Sequence, residues 1–482
     1  MKKIAIIGAG PGGLAAGLLL SKKYDVTIYE KDSVVGGRSK RIKLGDYKFD
    51  LGPTFLMYVE ILAEVFSKSG YDLYQEIDLI KLDPLYKLIF NDVTFTISAD
   101  PKKNIEMYEN YEKGMGLSYQ KWLIDQEKKL NVIKPILEKP FSSPFHFFRR
   151  DVIKAVPVIH PFQSVYQLLN TYSKNPNFIH SLSFQAKYLG MASYQAPSIF
   201  TILPYLEHQK GLYHVEGGLN RIHAKMGELF KKNGGKLILN APVEKILVKN
   251  KRIEGIKIKG EIVYYDQVIL NADFSYAMEK LIDPIHLKKY HPSKLEKKKY
   301  SVSTYMLYLG LDKIFDLPHH QIIFSKDYEK YLKELMTGQL SKDISFYMHN
   351  PSILDHTLAP RGHSSLYILV PVPNLRSSVD WDQFKIELRN QVISMINHQY
   401  QVEIEKHIVV EKVYTPIDWK DNENVYLGAV FNLSHGLDQM LHKRPHNQFE
   451  EIKNLYLVGG GTHPGSGLPT IYQSALILND IM

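Results

Sequence analysis

The first thirty or so residues leave few folds open. Lys3–Ile7 is a short apolar run that feeds into Gly8-Ala9-Gly10-Pro11-Gly12-Gly13; an Ala- and Leu-rich stretch, Leu14 to Ser21, follows, and Tyr24 to Glu30 returns to strand-forming residues. Strand, glycine turn, helix and strand within about thirty residues is a βαβ unit. Gly8, Gly10 and Gly13 have the G-x-G-x-x-G spacing, which allows a sharp turn, lets backbone approach a pyrophosphate and packs the helix tightly, its N-terminus facing the negative charge. Glu30 closes the second strand about twenty residues on, where a carboxylate can bind ribose hydroxyls. A merely glycine-rich turn would not need that acid, so the chain opens with a dinucleotide-binding unit.

At 482 residues the chain exceeds what one core organises, and two or three packed regions are expected. With 44% hydrophobic and 23% charged residues it has the composition of a folded protein. It has no cysteine, which excludes disulfides, thiolate metal sites, thiol nucleophiles and a cysteinyl cofactor link. A net charge of +9 suits nucleic acid or anionic lipid, but no nucleic-acid-binding module is present. The N-terminal apolar run breaks at the glycines without a cleavage pattern, so no targeting peptide is read. No apolar stretch is long enough to span a bilayer, and any membrane contact is expected to be peripheral.

From about Tyr108 to Lys210 the apolar spacing is helical, with interruptions expected near Pro135, Pro140, Pro144, Pro157 and Pro161. A helix is then expected from Gly217-Gly218-Leu219 to Phe230, followed by strands Lys236–Leu239, Val243–Val248, Ile253–Ile258 and Val268–Leu270. Ser303–Gly310, Ser345–His349 and Ser365–Pro371 read as strands of a mixed sheet, with a helix over Trp381–Gln399. Leu455–Val458, Gly459-Gly460-Gly461 and a helix from about Thr470 repeat the strand–glycine–helix order of the start.

Two further turns suggest close approach to a cofactor. In Val35-Gly36-Gly37-Arg38, Gly37 lets the backbone come near and Arg38 can meet phosphate with a forked pair of hydrogen bonds. In Phe49-Asp50-Leu51-Gly52-Pro53-Thr54, Gly52 is expected nearest the bound ring, flanked by Pro53 and Thr54. No H-E-x-x-H pattern or carboxylate cluster marks a metal site, and none is expected.

The glycine array, the acidic strand end and the Gly-Gly-Arg turn together resemble the flavin-containing amine oxidase superfamily. Asn454-Leu455-Tyr456-Leu457-Val458-Gly459-Gly460-Gly461-Thr462-His463-Pro464-Gly465-Ser466-Gly467-Leu468 resembles the C-terminal signature of bacterial phytoene (carotenoid) desaturases. Tyr213–Leu219, Asn271-Ala272-Asp273, Ala359–Ser365 and Arg444-Pro445 extend the resemblance along the chain in family order. The resemblance implies α/β and α+β architecture: a discontinuous Rossmann-like FAD domain (1–85, 213–290, 426–482), a mixed-sheet substrate domain (86–107, 291–425) and a helical, membrane-associated insert (108–212). It implies noncovalent FAD held by Gly8, Gly10, Pro11, Gly13, Glu30, Lys31, Gly37, Arg38, Gly52, Pro53, Thr54 and Asp273, with the Val243 backbone beside the adenine. Gly460, Gly461, Leu468 and Pro469 would bound the pyrophosphate and ring, and His463 would orient its loop rather than transfer a proton.

The implied reaction is desaturation of a long polyisoprenoid of thirty or forty carbons, such as diapophytoene or phytoene, in which flavin accepts a hydride that side chains cannot. Asp151 and Lys154, in Arg149-Arg150-Asp151-Val152-Ile153-Lys154, are the candidate charged groups on the substrate path. Phe141, Phe145, Phe147 and Phe148 among His146, Arg149 and Arg150 suit a membrane surface, which implies a peripheral protein on the cytoplasmic face, with quinone or oxygen as electron acceptor. Carotenoid isomerases and ketolases or oxidases share these motifs, as does a non-catalytic prenyl-binding escort-type protein. Nothing in the sequence fixes the oligomeric state.

Overall fold

The computed structural model describes residues 1–482. Its nucleotide-binding layer is a five-stranded parallel sheet in the order Lys236–Ile238, Asp25–Tyr29, Lys3–Ile7, Gln267–Leu270, Leu455–Leu457. Ile4 and Ile6 pair with Val26 and Ile28 on one side and with Gln267 and Ile269 on the other. Buried on both faces, Lys3–Ile7 reads as a continuous apolar run rather than an alternating one. Three stretches remote in sequence thus build one sheet, with the glycine turns after Ile7 and Leu457 at its carboxyl end.

The helix Pro11–Leu20 packs on one face of the sheet against the helices Asn220–Lys232 and Leu468–Ile481. Gly17 permits this packing, because a Cβ there would stand 2.7 Å from Ile28 Cδ1 and 3.3 Å from the Phe230 ring. The other face of the sheet is covered by the antiparallel strands Val243–Lys249, Arg252–Ile258 and Glu261–Tyr264 and by the helix Phe274–Lys280.

The second layer is a seven-stranded mixed sheet in the order Ile408–Tyr414, Ser303–Leu311, Ser364–Val372, Phe346–His349, His320–Ile323, Tyr86–Ile89, Thr94–Ile97. Tyr305, Leu307 and Leu309 point to one face, where Leu388, Val392 and Ile396 of the helix Trp381–Tyr400 cover them. Met306 and Tyr308 point to the other, the period-two alternation of a strand packed on both sides. A small sheet of Leu56–Met57, Leu212–Val215 and Leu79–Lys81 lies beside both larger ones.

Helices close the remaining side, principally Pro101–Tyr111, Met115–Leu137, Arg150–Ile159 and Ile202–Lys210. The helical region starts earlier than its apolar spacing suggests, because Pro101–Tyr111 is largely polar and is set by its cap: Asp100 accepts from Lys102 N at 2.9 Å. Pro135 and Pro157 do not interrupt their helices as the sequence leads one to expect. Each falls in the last turn, where a lost backbone bond displaces little helix. No helix is long and apolar enough to cross a membrane.

Candidate functional site

A single cavity of about 1000 Å³ runs from the glycine turns of the parallel sheet into the space between the seven-stranded sheet and the helices. At its first end Gly8, Gly10 and Pro11 line it together with Glu30, Lys31, Gly37 and Arg38. Gly52, Pro53 and Thr54 form a second stretch of wall, and Val243, Asp273, Gly460, Gly461, Leu468 and Pro469 complete this end from the later parts of the chain. Gly13 lies behind the wall, and its role is packing: a Cβ on it would sit 2.1 Å from the Gly8 carbonyl oxygen. Gly8 has a φ of +98°, which side-chain-bearing residues rarely adopt. A Cβ at Gly52 would stand 2.5 Å from the Arg38 carbonyl oxygen, so that turn also closes only around glycine.

The polar groups here are oriented by backbone. Glu30 accepts from Ala9 N at 2.7 Å and from Asp32 N at 2.9 Å, bonds that oppose the upward pull of burial on its pKa and fix its carboxylate at the cavity wall. Arg38 donates to Val430 O at 2.8 Å and to Asp273 Oδ2 at 2.5 Å, so two of its five donors are committed to protein. Asp273 in turn accepts from Tyr276 N at 3.2 Å, capping the helix Phe274–Lys280. Arg444 is fully buried and donates to Gly460 O at 2.8 Å and Thr462 O at 3.1 Å. It meets carbonyls and no carboxylate, and it braces the last glycine turn from behind.

The other end is a chamber of Phe55, Ile133, Phe184, Leu203, Met306 and Leu369 among other apolar side chains. Thr54 Oγ1 and Tyr347 Oη, 2.6 Å apart, put a hydroxyl pair in its wall. Lys187 also lines it, with Nζ 3.2 Å from Ser345 Oγ and 5.0 Å from the centre of the Tyr328 ring. Burial pulls this amine down to about 7. The arrangement is that of a dinucleotide cradle opening directly into a greasy chamber whose wall holds a buried lysine amine.

The profile of the flavin containing amine oxidoreductases matches residues 11–477. The chain belongs to the flavin-containing amine oxidoreductase family. It is 43% identical over 481 residues to a 4,4'-diapophytoene desaturase (4,4'-diapolycopene-forming) of Methylomonas sp, covering 99% of this chain and 94% of that protein. It is 32% identical to a 4,4'-diapophytoene desaturase (4,4'-diaponeurosporene-forming) of Staphylococcus haemolyticus, covering 99% and 98%. An oxidoreductase from Methanosarcina mazei has a similar fold, with a TM-score of 0.63 at 17% identity over 98% of each chain.

The residues present fit this family's cofactor. The dinucleotide fingerprint and the flavin of the family together specify FAD, and the glycine turns supply the close backbone approach it requires. The family resemblance along the whole chain makes this protein an oxidoreductase of the carotenoid desaturase kind.

In this flavoenzyme the structure does not bring every expected residue to the site. Asp151 and Lys154 stand outside the cavity: the helix Arg150–Ile159 turns Val152, Ala155, Val156 and Ile159 inward and its charged side chains away. Asp151 pairs with Arg149 at 2.5 Å, and that guanidinium holds its carboxyl below the usual range. The charge-rich sequence drew attention to the wrong face of an amphipathic helix. Phe141 is likewise buried, against Ile136, Val152 and Ala155, and does not face outward with its neighbours. Phe145, Phe148 and, unexpectedly, Phe162 are 79%, 76% and 94% exposed, and Phe147 and Phe162 reach the cavity's rim. His463 is buried, with Nε2 3.1 Å from Lys139 O, joining the glycine-rich loop to the helical region. Lys187 was not legible in the sequence, since one lysine in a helical stretch of a chain with 60 basic residues carries no mark.

Proposed function

We propose that this enzyme desaturates a thirty-carbon carotenoid precursor of the 4,4'-diapophytoene type. The observation that carries the reading is the continuity of the cavity: the glycine cradle and the apolar chamber share one space. The full-length relatives named as diapophytoene desaturases favour this substrate class over isomerases, ketolases and prenyl-binding escorts.

Desaturation removes a hydride and a proton from adjacent carbons, and bound FAD supplies the two-electron acceptor for the hydride. The chamber excludes water and holds the chain in place, which matters because the reacting atoms must come within about 3–3.5 Å. Lys187 Nζ, neutral above about pH 7, takes the proton. Its tyrosine rings and Ser345 keep the resulting ammonium in place. Phe145, Phe148 and Phe162, with Arg149, Arg150 and Lys154 nearby in sequence, rest on anionic lipid at the cytoplasmic face of the membrane, so that substrate passes from bilayer to cavity rim without crossing water. The terminal electron acceptor in this reading would be quinone in the same bilayer, or oxygen.

The test is expression in a host that accumulates only diapophytoene, beside one that accumulates only phytoene, followed by pigment chromatography. Conjugated thirty-carbon products are expected. Unaltered precursor in both cultures, from cells containing flavin-loaded protein, overturns the proposal.

A further inference from the structure

Away from the cavity the fold gathers histidines that the sequence keeps far apart. His320 begins one strand of the seven-stranded sheet, directly after His319, and His349 ends the next, where it pairs with His320. His214 arrives from the small sheet on the strand Leu212–Val215. The rings of His214 and His319 are centred 5.1 Å apart and those of His319 and His349 4.8 Å apart. One ring nitrogen from each of His214, His319 and His349 falls within 4.8 Å of the others. All three side chains are buried.

Nitrogens on two of the three rings lack partners. Both ring nitrogens of His319 and Nε2 of His349 are buried without a hydrogen bond, although buried polar groups are nearly always paired. Asp355 Oδ2 lies 2.9 Å from His214 Nε2, supplying the carboxylate that metal-bound histidines regularly keep beside them. Imidazole donors without thiolate, in a chain that has no cysteine, suit zinc, cobalt, nickel or copper and not calcium or magnesium, which take oxygen.

We propose that His214, His319 and His349 bind one divalent transition-metal ion of the zinc class, which clasps the small sheet to the seven-stranded sheet. None of the three lines the cavity, but His349 pairs in the sheet with the wall residue Tyr367, and the neighbouring His320 Nδ1 lies 2.7 Å from the hydroxyl of the wall residue Tyr347. The ion is therefore a structural clip behind the chamber wall rather than a participant in the chemistry. Zinc–nitrogen bonds of about 2.0–2.1 Å set ligand nitrogens roughly 3.3 Å apart, so capture draws the rings inward by side-chain rotation.

The site is tested on the full-length flavin-loaded protein, stripped with a chelator, dialysed against Co2+ and then against metal-free buffer. Wild type is expected to retain about one cobalt per chain with tetrahedral d–d bands and to melt at a higher temperature with cobalt than without. H319Q and H349Q are each expected to lose the ion and the thermal response, while H398Q, at an exposed position on the helix Trp381–Tyr400, keeps both. Flavin content equal to wild type identifies the variants that have folded, and two variants guard against the failure of one. Wild type that retains no cobalt, or H319Q and H349Q that retain as much as wild type, overturns the proposal and leaves trapped water as the partner of these rings.

Discussion

The two ends of the cavity are built by opposite means. The cradle end is made from backbone and from missing side chains: Gly8 at φ +98°, Gly13 with no room for a Cβ, Gly52 against the Arg38 carbonyl. The chamber end is made from side chains, and its shape depends on which face each helix and strand turns inward. Tolerance to substitution should differ accordingly. In the cradle a single methyl group collides with main chain that cannot move aside, whereas in the chamber neighbouring side chains can repack.

Gly13→Ala gives the sharpest contrast. Its Cβ would come within 2.1 Å of the Gly8 carbonyl oxygen, so the turn and the helix Pro11–Leu20 cannot both hold their places. The purified variant is expected to be colourless and inactive, with no flavin absorbance after reconstitution. Retention of stoichiometric flavin would break the comparison, because the cradle would then be as adaptable as the chamber.

Lys187→Met tests the chamber separately. Bound flavin should match wild type, while turnover at pH 8 should fall by about 10²–10⁴-fold, the usual worth of a positioned base. The pH dependence has a definite sign. A lysine lowered to about 7 by burial is protonated below that pH and cannot accept a proton, so wild-type turnover should decline as pH falls through about 7, and the methionine variant should show no such decline. An unchanged profile would remove Lys187 from the reaction and leave the chamber a purely steric device.

This contrast also explains what could be read before any coordinates. Glycines at fixed spacing record backbone conformation, so Gly8, Gly10, Gly37 and Gly52 could be placed by their chemistry, and Gly460 and Gly461 by the family resemblance; all reach one cavity wall. The strands Lys3–Ile7, Ser303–Leu311 and Ser364–Val372 were legible for a related reason, being short apolar runs between clear turns. Facing, by contrast, is a tertiary property. The segment Arg149–Lys154 contains both the charged residues that turn outward and Val152, which turns inward, and composition cannot choose between them. His214, His319 and His349 converge only through the meeting of two sheets, and no local motif records that.

The exposed aromatic surface beside the chamber should show a smaller effect. Replacing Phe145, Phe148 and Phe162 together by Ser removes three largely exposed rings. If each contributes a fraction of the roughly 1.5–3 kcal/mol of a fully buried side chain, association with anionic liposomes should weaken by about tenfold in sedimentation. Activity on detergent-dispersed substrate should be unaffected. Unchanged sedimentation would place the lipid-facing surface elsewhere.

The smallest effect lies in the cradle's own supporting helix, and it shows that the intolerance of glycine there is geometric and not a property of the residue. Gly227 lies within the helix Asn220–Lys232, where an added Cβ would find its nearest neighbour, Leu237 Cδ2, at an ordinary 3.5 Å. Alanine fits there and restricts the unfolded chain, so Gly227→Ala should raise stability by about 0.5–1 kcal/mol with flavin content unchanged, read as a rise in melting temperature. A loss of flavin comparable to that of Gly13→Ala would mean that the cradle senses helix packing at a distance, and the division between a rigid backbone-built end and an adaptable side-chain-built end would no longer hold.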